Sequence, residues 1–178
     1  MAKPEGWRLN LAAYPIILES DTRFQDMDIN GHLNNVAFAS LFENARVQLH
    51  HKARPWADRP ENERTMVASV EINYLREGNF PDPVTIGSGI GRIGNSSWSV
   101  VQAMFQNGLC IGTCDSVIVC RTDNEAKPLR AELVAELKNR PAGMSRFSRS
   151  TTVAEMADWW LESVARHQVK TSTMDSYR

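Results

Sequence analysis

One stretch of helical period stands in a chain whose other apolar segments alternate in twos. That contrast restricts the fold more than any other feature. Phe38, Leu41, Phe42, Ala45 and Leu49 recur at the three- and four-residue spacing of a single helix stripe, with Asn44 and Gln48 off it. His50, His51 and Lys52 suit the end of that helix, where cations meet the negative end of the dipole, and Arg54-Pro55 stops it. Around it the spacing predicts strands. Tyr14 to Phe24 places Ile16, Leu18, Thr22 and Phe24 at alternate positions, and Met66 to Tyr74 puts Val70, Ile72 and Tyr74 on one face. Val84 to Ile93 interleaves Val84, Ile86 and Ile90 with Gly87, Gly89 and Gly91. Gly94-Asn95 and Asn107-Gly108 are tight-turn signals that bracket a strand from Ser97 to Phe105 and lead into another from Cys110 to Arg121. A short helix is predicted from Pro128 to Leu137. The result is an α+β chain, an antiparallel sheet with one long helix early in the sequence. The broad stripe of that helix requires the sheet to curl around it.

At 178 residues the chain is somewhat longer than one domain of roughly 150 residues. Residues 1–138 are read as that domain and residues 139–178 as an extension. The extension is a Ser/Arg/Gly-rich linker over Pro141 to Ser150, then an amphipathic helix from Val153 to about His167, opened by capping-box spacing at Thr152 to Glu155. A formal net charge of −1 excludes a protein built mainly to coat nucleic acid or an anionic membrane. No apolar run approaches the ~20 residues of a membrane span, and the Met1-Ala-Lys-Pro-Glu-Gly-Trp-Arg start has no apolar signal region, so a cytoplasmic location is expected. Cys110, Cys114 and Cys120 have even spacing, which predicts one strand face and buried free thiols.

The densest chemistry lies between the first strand and the helix: Asp26, Asp28, Asn30, Gly31, His32, Asn34 and Asn35. Three readings compete. The spacing Asp26-x-Asp28-x-Asn30-Gly31 matches the opening of an EF-hand loop, but the twelfth position, which needs a bidentate Glu, is Ala37. A structural reading uses Asp, Asn and Gly for turns, with Asn34 or Asn35 capping the helix. A catalytic reading places a carboxylate beside the N–H groups and positive dipole of a helix start. In that arrangement the helix N–H groups hold a developing oxyanion, Asp28 drives attack on a carbonyl, and His32 with Asn30 orients water or the acyl group.

The run from Arg23 to Phe38, containing Asp-Met-Asp-Ile-Asn-Gly-His-Leu-Asn-Asn, with Phe42-Glu-Asn-Ala-Arg46 after it, resembles the hotdog-fold acyl-CoA thioesterases of the 4-hydroxybenzoyl-CoA thioesterase type. The likeness continues through Ile72 to Arg76, Arg92 to Trp98 and the Asn107-Gly108 hairpin, reaching about Leu137. The resemblance implies a hotdog fold, a curved antiparallel sheet wrapped around one long helix, in subunits that pair as a homodimer or homotetramer with active sites at their interface. It implies hydrolysis of an acyl-CoA to a carboxylic acid and free CoA, with no metal or redox cofactor. It maps the catalytic carboxylate onto Asp28 and the carbonyl-polarising N–H onto Asn35. The Asp28, Asn30, His32 spacing is also similar to the catalytic loop of plant acyl-carrier-protein thioesterases. Many bacterial members carry a histidine seven positions after the aspartate, where this chain has Asn35.

A carrier-protein thioesterase and a non-catalytic acyl- or CoA-binding hotdog protein are therefore the alternatives. Arg92, Ser96 and Ser97 lie near a turn as either CoA phosphate contacts or exposed strand-end residues. Glu43 and Arg46 read either as an i, i+3 ion pair or as support for a neighbouring subunit's site. Phe38, Phe42, Tyr74, Met104 and Phe105 either line the acyl pocket or fill the core.

Overall fold

A computed structural model describes residues 4–52, 60–123 and 125–139. The predicted helix is α1, Asn35–Lys52. The strands are β1, Ile16–Ser20; β2, Glu63–Tyr74; β3, Val84–Ile93; β4, Ser97–Gln106; β5, Leu109–Thr122; and the two-residue β6, Glu125–Ala126. A short helix α2, Ala131–Asn139, follows. The strands form one antiparallel sheet in the order β1-β3-β4-β5-β2, with β6 paired to β5. Asn107 and Gly108 both take positive φ, 51° and 76°, which is the turn geometry that lets β4 fold straight back as β5.

The inner face of the sheet packs on α1. Phe38, Phe42 and Ala45 meet Val84, Ile86, Met104, Ile111 and Cys114 in one buried cluster. Towards the end of the helix Leu49 joins Ile90, Trp98, Val100 and Ile118, and Leu129, Leu133 and Leu137 from α2 and its lead-in close that end. This is the architecture the resemblance implied.

The outer face carries a third cluster that the sequence reading did not anticipate. Residues Gly6–Leu9 and Leu11–Ala13 form two 3-10 turns that lie across the sheet. Trp7, Leu11 and Tyr14 cover Ala103, Phe105 and Cys110, and Arg8 Nη1 bonds Asp115 Oδ2 at 2.6 Å.

Two expectations need correction. The first strand is shorter than Tyr14 to Phe24, because Tyr14 belongs to the outer-face cover and Phe24–Asp26 is drawn into a 3-10 turn by the Asp26 side chain. The three cysteines are free and buried on β5, as expected, but they do not share a face. Cys110 sits with Tyr14 outside, whereas Cys114 and Cys120 sit in the helix-facing clusters. The cause is a bulge: Phe105 pairs with Cys110 and Met104 with Gly112, so Ile111 is an extra residue and alternation reverses there. The predicted linker at 141–150 and helix at 153–167 lie outside the described residues, as do Arg54 and Pro55.

β2 ends the sheet on one side with its outer edge unpaired among the described strands. Met66, Val67, Val70 and Tyr74 on it are all substantially exposed.

Candidate active site

The loop between β1 and α1 is built by its first aspartate. Asp26 is buried, and its carboxylate accepts the Arg23 backbone N–H at 2.9 Å and Arg23 Nη2 at 2.8 Å. The Arg23 hydrogen bonds hold this carboxyl below the ordinary aspartate range. The Asp26 carbonyl then accepts the Asn34 N–H at 2.9 Å, and an isolated bridge joins Met27 to Leu33, so the chain between them is a closed turn. Gly31 takes φ 81° at its tip, a conformation that side chains with a Cβ rarely adopt.

Inside this turn the second aspartate is exposed and differently held. Asp28 Oδ1 accepts two backbone N–H groups, from Asn30 at 2.8 Å and His32 at 3.0 Å. Oδ2 has one long contact, 3.4 Å to Asn30 Nδ2. These N–H groups, that of His32 foremost, lower the Asp28 pKa, so the carboxylate is ionised near neutrality.

Asn34 closes the loop and starts the helix. Its Oδ1 accepts the Ala37 N–H at 2.8 Å, which is the N-cap bond, while its carbonyl accepts the Phe38 N–H at 3.1 Å. Of the two asparagines offered as caps, Asn34 is the one, and Asn35 is the first helical residue. The N–H groups of a first turn have no intrahelical acceptor, and the positive end of the dipole lies there. Asp28, Asn34, Asn35, Val36 and Ser40 line one cleft of about 570 Å³. Asp28, Asn30, His32 and Asn35 are thus brought together, two of them through their backbone N–H groups.

The His32 side chain turns towards a residue that the sequence reading missed. Its Nε2 lies 3.3 Å from Glu77 Oε2, and next to it the Leu33 N–H donates to the Gly78 carbonyl at 2.7 Å. The 77–82 segment is itself anchored. Buried Gln106 accepts the Asn79 N–H and donates to the Asn79 and Asp82 carbonyls at 2.8 and 2.7 Å, and Thr22 Oγ1 also donates to the Asp82 carbonyl. No local signal marks Glu77 or Gln106, because both act on a loop distant in sequence.

Arg92 and Ser97 lie at the other end of the sheet. Val84 pairs with Ser20 beside the loop, and Arg92 stands eight residues further along β3, roughly 26 Å of strand. Arg92 is exposed and Ser97 accepts the Gly94 N–H in the hairpin turn, so within one protomer neither reaches Asp28. Phe38, Phe42 and Met104 fill the inner core, Phe105 belongs to the outer-face cluster, and Tyr74 is the half-exposed one, packed edge-on to Phe38 at 5.2 Å. Among the described residues no cluster of three or more His, Cys, Asp or Glu side chains is arranged to hold a metal ion. The Asp26 and Asp28 oxygens are engaged with Arg23 and with their own turn.

A family model described as the thioesterase-like superfamily matches residues 22–137. Among solved structures, a thioesterase complexed with coenzyme A and Zn from Thermus thermophilus is 27% identical over 71% of this chain and 93% of its own, with a TM-score of 0.64. A predicted thioesterase from Bacillus stearothermophilus is 24% identical over 70% and 95%, at 0.64. The DHNA-CoA thioesterase from Staphylococcus aureus is 21% identical over 65% and 80%, at 0.57. The last two show a shared fold. No curated protein matches the chain.

Proposed function

We infer the chemistry from one premise: the chain belongs to the thioesterase-like superfamily. It has the hotdog fold and is a thioester hydrolase. The finer proposal is that its substrate is an acyl-CoA and that Asp28 is the reacting carboxylate. The observation that carries it is the shared cleft of Asp28 and Asn35, a carboxylate and a helix N-terminus facing the same space. The Thermus relative bound to coenzyme A supports the CoA half of the substrate.

In this reading the thioester carbonyl oxygen accepts the Asn35 N–H, where preorganised donors stabilise the charge that develops on it. Asp28 Oδ1 is held by Asn30 and His32, which leaves Oδ2 to react. By the first route Oδ2 takes a proton from water, the water oxygen bonds to the carbonyl carbon, and the C–S bond breaks. The thiolate then takes up the proton, giving acid and free CoA. By the second route Oδ2 attacks the carbon itself, the C–S bond breaks to release the thiolate, and water cleaves the resulting anhydride and supplies the proton that the thiolate takes up. Each route consumes one water and releases one thiol. Glu77 fixes the His32 ring, and with it the turn that supplies the N–H groups.

The open edge of β2 and its exposed Met66 support a homodimer formed along that strand. Arg92 and Ser97 serve CoA only from across such a subunit boundary. The test measures thiol release from a panel of acyl-CoAs, and from one of the same acyl chains on carrier protein, by wild type and Asp28→Ala. A loss of roughly 10²–10⁴-fold is expected for the variant. Equal rates would remove Asp28 from the mechanism, and turnover only on carrier protein would replace CoA as the carrier.

A further inference from the structure

The cleft at Asp28 does not end there. A second cleft, of about 380 Å³, runs between α1 and β2, and Val36 and Ser40 line both. Together they form one groove along the exposed stripe of the helix, at the i, i+4 spacing of its surface. Val36, Ala39, Val67 and Val70 make its walls apolar. At the far end stand Glu43 and Arg46.

Arg46 is unusual for a residue lining an open groove. Its side chain is only 6% exposed, while that of Glu43 is 66% exposed. Arg46 Nη1 donates to Ser116 Oγ at 3.1 Å and Nη2 lies 3.5 Å from Glu43. Among the described residues these are its polar partners, one neutral and one a long, water-facing contact. A guanidinium carries five N–H donors, and no Arg46 nitrogen is a buried atom left without a partner, so its spare donors open onto the groove. The end of the groove therefore presents a buried positive charge with donor capacity to spare.

We propose that Arg46 is a specificity residue that receives a hydrogen-bond-accepting group, such as a carboxylate, at the distal end of the acyl chain. The proposal rests on the thioesterase reading, which puts the thioester carbonyl at Asn35. Helical side chains lean towards the N-terminus, which brings the guanidinium level with Glu43, eight residues from Asn35 and about 12 Å along the axis. An extended chain covers roughly 1.2 Å per bond, so about ten bonds separate the carbonyl carbon from the accepting atom. The apolar walls take the methylenes between, and Glu43 competes with the substrate for Arg46.

The experiment compares kcat/KM for decanoyl-CoA and for its ω-carboxy analogue of equal length, in wild type, Arg46→Met and Glu43→Gln. Wild type is expected to favour the ω-carboxy substrate by roughly tenfold to a hundredfold, the range of a charge-assisted hydrogen bond. Arg46→Met abolishes that preference. Glu43→Gln, at an exposed position tolerant of substitution, raises it by freeing the guanidinium, and so keeps the test open if Arg46→Met does not fold. Hydrolysis of both substrates without preference, or a ratio that either folded variant leaves unmoved, overturns the role of Arg46 and leaves the thioesterase standing. Failure of wild type to release thiol from any acyl-CoA overturns the thioesterase reading, and this proposal with it.

Discussion

At its C-terminal end α1 runs into packing, where Leu49 is buried against Trp98 and Ile118 and the leucines of α2 close over it. At its N-terminal end it meets hydrogen bonds instead: the Asn34 cap, the Asp26–Arg23 pair and the N–H groups on Asp28. The same helix is thus anchored by apolar burial at one end and by a polar loop at the other. Buried apolar contacts are non-directional and leave no group free to react. The hydrogen-bonded end holds a carboxylate and a helix N-terminus open to one cleft. In the proposed mechanism, stability and chemistry are separated along about 25 Å of helix axis.

Leu49→Ala presses hardest on this comparison. Removing a fully buried leucine should cost about 2–5 kcal/mol, read as a lower midpoint in denaturant or heat. Thiol release per folded molecule should stay near wild type, and a catalytic loss without destabilisation would mean the two ends are coupled.

Asn34→Ala attacks the other end. Loss of the cap should cost about 1 kcal/mol and also lower kcat, because the Asn35 N–H then belongs to a fraying turn. A stability loss with kcat untouched would detach the cap from the oxyanion site.

The smallest effect is a shift in pH dependence. The His32 and Asn30 N–H groups hold the Asp28 carboxyl below its ordinary value of 3.8. The folded pKa therefore lies below the unfolded one. Whatever this carboxylate contributes to stability is present above the unfolded value and is lost as pH falls through the folded one. Correspondingly, the acid limb of kcat/KM should have its midpoint below the ordinary aspartate value. A midpoint above that value in a rapid assay would show that another group controls the acid limb.

The cap, the Asp28 turn and the Asn107-Gly108 hairpin were legible in the sequence because each depends on residues a few positions apart. Helix period, strand alternation and turn chemistry act at that range, and they placed α1, four of the strands and α2 close to where they stand. The Cys110 face was not legible. Alternation predicts it only while pairing stays regular, and the bulge at Ile111 is set by how β4 and β5 meet. Glu77 was equally hidden, since nothing near it in sequence marks it as the partner of His32.

What the sequence determined by itself was the order of elements and the turn that holds Asp28 beside the helix start. Tertiary structure alone decided that Arg8 clamps the outer face through Asp115, 107 residues away, and that Arg46 is buried at the end of the groove beginning at Asp28. The division follows from range. Backbone conformation answers to nearest neighbours, whereas burial and charge pairing depend on which surfaces the curled sheet brings together.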